Sequence, residues 1–153
     1  MPVTIELTGL KELAARFDAF PEVYAREVGS TMKEALFILQ ENVPEYPPAP
    51  SNAYQRTGQL GRSLGVNMSG SPQGQADIYE VKRQGNQHGS SVTARFGTRL
   101  GYAPRVIGEN TQQRPWSGYW WTIKTVATNA TSKINETFER LVNDLAAFLD
   151  KGK

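Results

Sequence analysis

The strongest constraint in this sequence is a change of period. Near both ends apolar residues return every three or four positions; in the glycine-rich middle they return every second one. Val28, Met32, Ala35, Leu36 and Leu39 trace one helical stripe. Ile123, Val126, Ala127, Ala130, Ile134, Phe138, Leu141, Val142, Leu145, Phe148 and Leu149 trace a longer one. Between them Val92, Ala94 and Phe96 alternate with polar residues, and so do Tyr79 and Val81. Helices repeat a face about every 3.6 residues and strands about every two. Segregated helical and strand segments predict an α+β domain. The expected fold is a small antiparallel sheet of three to five strands packed against N-terminal helices and a long C-terminal helix.

The boundaries follow from the punctuation. A helical region is expected over 8–43, a proline-rich crossing over 44–56, the sheet over 57–107, a loop over 108–116 and the last helix over 117–150. Val3 to Leu7 alternates and predicts a short edge strand. Leu10, Leu13, Ala14 and Phe17 predict a short helix ending near Phe20, and Pro21 restarts the pattern at a first turn, where proline is tolerated. Gly29 either weakens the second helix slightly or admits a close neighbour. Pro47, Pro48 and Pro50 stiffen the crossing. Thr57-Gly58 supplies a turn or cap, and Leu60, Leu64, Val66 and Met68 are expected to begin the sheet. Ser69 to Gly74 and Gln84 to Ser90 read as loops, and Tyr102 to Ile107 as a further short strand. With its neighbours these strands suggest a meander, and Ala94 leaves room for a helix on its face. The last helix is expected to reach ~45 Å and overhang the sheet, so that another helix or subunit must cover its apolar side.

Composition narrows the chemistry. A chain of 153 residues is one domain by length. Its 17 basic and 15 acidic side chains leave a net charge of +2, without the basic excess of a general nucleic-acid binder. Cysteine is absent, which removes disulfides and thiolate metal sites. The first residues do not read as a signal sequence, no apolar run approaches a membrane span, and no lipid-anchor motif is expected.

No catalytic constellation stands out, and no cofactor is expected. His88 is the single histidine and sits in the polar segment Gly85-Asn-Gln-His-Gly89, which reads as a solvated loop. A serine triad must use it, and a small hydrolase using His88 is a further alternative. No serine occupies a G-x-S-x-G elbow, and no dinucleotide or phosphate-binding glycine motif is present. Glu136 and Arg140 are four apart and read as a local helical pair. Arg95, Arg99, Arg105 and Arg114 run close in sequence to Tyr102, Trp116, Tyr119, Trp120 and Trp121. That mixture serves protein interfaces and also grips single-stranded nucleic acid by stacking and phosphate contact. The first use is the preferred one; a nucleic-acid-binding module over Arg95 to Trp121 is the alternative.

Three segments carry a family resemblance. Thr57-Gly58-Gln59-Leu60-Gly61-Arg62-Ser63-Leu64 matches a T-G-x-L-x-x-S-[LI] pattern in full, behind a helix and a proline-containing crossing. Tyr102-Ala103-Pro104-Arg105-Val106 matches the first part of Y-A-x-x-V-E-x-G-T, whose remainder departs at Ile107 to Thr111. Arg114-Pro115-Trp116 keeps an arginine-proline-aromatic order before the last helix. In this order the motifs resemble the small neck and minor-tail proteins of long-tailed bacteriophages and prophages. The resemblance implies a non-enzymatic ring or tail-completion subunit at the virion head–tail junction, made in the bacterial host cytoplasm. Its implied partners are copies of itself, the head connector, and tail-tube or tail-terminator proteins. No membrane is involved, and DNA meets it at most by passing through a channel. The expected interface residues are Arg99, Tyr102, Arg105, Arg114, Trp116, Tyr119 and Trp120, with Thr57, Gly58, Leu60, Ser63 and Leu64 as the fold-switch motif. Loops 69–74 or 84–90 are expected to point toward the channel.

Overall fold

Both periods give the elements they encode. The computed structural model describes residues 2–7, 21–51, 56–86 and 89–151. Over these the chain runs β1 (Pro2–Leu7), α1 (Pro21–Glu41), α2 (Gln59–Ser63), β2 (Ile78–Asn86), β3 (Gly89–Gly97), α3 (Ala103–Ile107) and α4 (Ile123–Lys151). The expected helix ending near Phe20 lies outside the described residues.

The three strands form one antiparallel sheet in the order β1-β3-β2. Register explains its two faces. Val3 and Tyr79 flank Phe96, and Ile5 and Val81 flank Ala94. Ala94 and Phe96 are fully buried on this face. Helix α1 lies on it, and α4 packs on α1 and reaches β1. Met32, Leu36 and Leu39 of α1 fill the space between the layers. Each such side chain contributes about 1.5–3 kcal/mol through burial. The opposite face is polar: the Glu80 carboxylate meets Lys82 at 2.9 Å and Arg95 at 3.1 Å.

Several expected boundaries move, each for a local reason. Leu60 and Leu64 do not open the sheet. Gly58, in the left-handed conformation at φ 67°, precedes the helical turn α2, and the four-residue spacing puts both leucines into the core. Val66 makes only an isolated bridge to Pro72, so the third strand is β1 and the expected meander gives way to a hairpin flanked by an N-terminal edge strand. Residues Tyr102 to Ile107 are not a strand. Pro104 sits in the first turn of α3, where its missing N–H costs nothing. The β2–β3 ladder continues to Asn86↔Gly89, so strand replaces most of the loop expected at Gln84 to Ser90.

The last helix begins at Ile123 rather than 117. Thr122 and Thr125 exchange backbone-to-hydroxyl hydrogen bonds of 3.3 and 3.4 Å, a reciprocal cap at its N-terminus. Its 29 residues span ~44 Å. Its apolar stripe is covered only in part: Leu141 is 6% and Leu145 2% exposed, while Val142 is 52% and Phe148 40% exposed. The chain thus covers one line of the overhanging stripe itself and leaves Val142 and Phe148 exposed beside it. Among the described residues, no helix is long and apolar enough to cross a membrane.

Candidate functional site

The proline-rich crossing, α2, α3 and the segment before α4 converge on a cleft of about 450 Å3. Tyr46 and Arg56 come from the crossing, Thr57 to Leu60 from the entry to α2, Tyr102, Arg105 and Val106 from α3 and its entry, and Gln113, Trp116 and Trp120 from the final loop. Residues from all three motif segments of the sequence thus share one site.

A buried hydroxyl relay holds these walls together. The Leu100 N–H donates to Thr98 Oγ1 at 3.1 Å, Thr98 Oγ1 donates to Ser63 Oγ at 2.7 Å, and Ser63 Oγ donates to the Leu60 carbonyl at 2.7 Å. Thr98 is 2% and Ser63 6% exposed, so each hydroxyl depends on the next for its partner. The relay ties α2 to the turn that leads from β3 into α3. Behind it Gln40, buried in α1, donates from Nε2 to the carbonyls of Gly65 and Gly74, both at 2.6 Å. Gly65 adopts φ 73°, and a Cβ there would sit 2.6 Å from Gln40 Nε2.

The floor is aromatic. Trp120 meets Tyr46 edge-on with ring centroids 4.8 Å apart, and Trp116 meets Trp120 at 6.4 Å and 83°. Such pairs add about 0.5–1.5 kcal/mol beyond burial. The Arg56 guanidinium lies 5.4 Å from the Trp120 ring centre and 5.7 Å from that of Tyr46. It also donates to the carbonyls of Pro47 and Pro48, which fixes the crossing against the floor. Tyr46 accepts the Gly61 N–H at 2.5 Å. Burial pushes its phenol above the ordinary value, opposed by that hydrogen bond and by the charges of Arg56 and Arg62. Trp120 Nε1 is buried with no hydrogen-bond partner among the described residues. The rim is exposed: Tyr102 is 41% accessible, and Arg105 is exposed with no carboxylate in ion-pair range among the described residues.

The structure gathers four of the seven expected interface residues here: Tyr102, Arg105, Trp116 and Trp120. Arg99, Arg114 and Tyr119 are exposed but do not line the cleft. The Arg99 N–H is held by Asp77 Oδ2 at 3.1 Å. Arg95 faces away with the polar side of the sheet, paired to Glu80. Trp121 donates from Nε1 to the Glu45 carbonyl at 3.1 Å and braces the crossing. His88 lies outside the described residues. Sequence reasoning missed Tyr46 and Arg56; their signal was an aromatic and a cation bracketing the proline run, close to Thr57-Gly58.

Among the described residues the lining holds two arginines and no carboxylate. It offers aromatic surface, the exposed guanidinium of Arg105 and the hydroxyls of Tyr46, Thr57 and Tyr102. Comparisons with protein-family models, with curated proteins and with solved structures find no match.

Proposed function

We propose that this protein is a non-enzymatic structural subunit of a phage or prophage head–tail junction or tail, forming or completing a ring between connector and tail tube. The observation that carries the reading is the meeting of the motif segments. Thr57 to Leu60, with Tyr102, Arg105 and Val106, all from segments that bear the resemblance, line one cleft together with Trp116. Segments far apart in sequence that meet at an exposed rim fit a docking surface. An aromatic floor with an arginine at its edge has the composition of an interface hot spot. In this reading the sheet and helices are a rigid body, the cleft is a contact to a neighbour, and DNA only passes by. Light scattering of the protein, alone and mixed with purified connector and tail-tube proteins, tests it. A ring-sized species, alone or with those partners, supports the reading; a monomer indifferent to both overturns it.

A further inference from the structure

The cleft and the outer face of α4 carry opposite charges beside apolar surface, and they lie far apart on the same molecule. Among the described residues the cleft carries Arg56 and Arg105 and no acid. On α4 a shallow groove is lined by Asn135, Phe138, Glu139, Val142 and Asn143. Val142 is 52% exposed and Phe138 only partly buried, while Glu139 stands exposed with no cation in ion-pair range among the described residues. The groove thus offers an acid beside apolar surface, and the cleft offers a free arginine beside aromatic surface. Glu139 lies 16 residues beyond Ile123, about 24 Å along the helix from the end next to Trp120. One molecule cannot close this pair on itself.

We propose that the occupant of the cleft is a second copy of this chain, presenting the Phe138–Glu139–Val142 face of its α4. Arg105 of one copy meets Glu139 of the next, and Val142 and Phe138 cover Trp116 and Tyr102. Two different patches on one chain make a head-to-tail contact, the kind that repeats around a ring. The inference rests on the ring reading above and assigns its subunit contact. Nucleic acid is the weaker occupant, because Arg95 is spent on Glu80 and the chain carries a net charge of only +2.

Reciprocal charge reversal tests it. Sedimentation velocity of the full chain over a range of concentrations measures self-association. Arg105→Glu alone sets acid against acid, and Glu139→Arg alone sets cation against cation. Each is expected to weaken association about tenfold or more. An equimolar mixture of the two variants restores both kinds of contact, alternating around the assembly, and is expected to recover wild-type association. Circular dichroism confirms that both variants fold, since both side chains are exposed. Three results would overturn the contact: a wild type that stays monomeric, variants that associate as the wild type does, or a mixture no better than its parts. Loss of DNA binding by Arg105→Glu with unchanged self-association would also overturn it. None of these outcomes touches the separate test with connector and tail-tube proteins.

Discussion

Replacing Ser63 with alanine isolates the relay that joins the two walls of the cleft. The substitution removes the bond accepted from Thr98 and the bond donated to the Leu60 carbonyl. Each is worth about 1 kcal/mol net, and the Thr98 hydroxyl, 2% exposed, loses its acceptor. The expected loss is about 2–3 kcal/mol. For a chain of 153 residues this lowers Tm by roughly 4–12 °C. Thr98→Val removes the same shared bond together with the acceptor of the Leu100 N–H. In the double variant the shared bond is lost only once. It should therefore be about 1–2 kcal/mol more stable than the sum of the single losses predicts. Urea denaturation of the four proteins measures this, with an unchanged m-value as the check on comparable unfolding. Losses that add to within about 0.5 kcal/mol would refute the relay as a coupled unit.

The remaining predictions concern glycines, the floor and the open sheet face. Gly29→Ala should stabilise by about 0.5–1 kcal/mol in thermal melts, because an added Cβ in α1 meets nothing within 4 Å. Gly65→Ala should destabilise by about 2 kcal/mol or more, since φ 73° is strained for alanine and the Cβ collides with Gln40 and the Gly74 carbonyl. Trp116→Ala should weaken assembly with connector and tail-tube partners while lowering Tm only modestly, because the ring is half-exposed at the rim; an intact ring from this variant would remove Trp116 from the contact. Glu80 is held below the usual carboxylate range, first by its hydrogen bond from Lys82 and then by the Lys82 and Arg95 charges. Its contribution is therefore present above its unfolded pKa and lost as pH falls through the lower folded value. Glu80→Gln should flatten the acid limb of a stability–pH profile slightly, and added salt should shrink the difference.

How legible the fold was depended on whether a pattern had one solution. Val92, Ala94 and Phe96 alternate within β3 and specify a buried face whatever lies beside it. The α4 stripe is long enough that only a helix satisfies it. Leu60 and Leu64 were ambiguous because two same-face positions four apart fit either a strand or one helical turn; Gly58 decided between them through its backbone conformation. Thr122 and Thr125 hold the start of α4 through a reciprocal cap, a weaker sequence signal than the preceding aromatics that drew the boundary earlier. In the candidate site Tyr102, Arg105, Trp116 and Trp120 were visible as residue types that make interfaces. Their meeting with Thr57 and Gly58 was not visible, because it depends on the relay through Ser63 and Thr98, a tertiary contact with no local period.

Gln112 gives the cleft a kinetic character. Its Nε2 donates to the Val106 carbonyl at 2.7 Å and to the Trp120 carbonyl at 3.0 Å, so one amide clamps both ends of the irregular stretch between α3 and α4. A rim fastened in this way has already lost its conformational freedom before any neighbour arrives. In the proposed role a partner would meet a finished surface, with encounter and orientation setting the pace instead of loop ordering. Association through this rim should proceed in a single concentration-dependent phase. Cutting the clamp with Gln112→Ala should slow capture by introducing an ordering step that the native rim completes during folding.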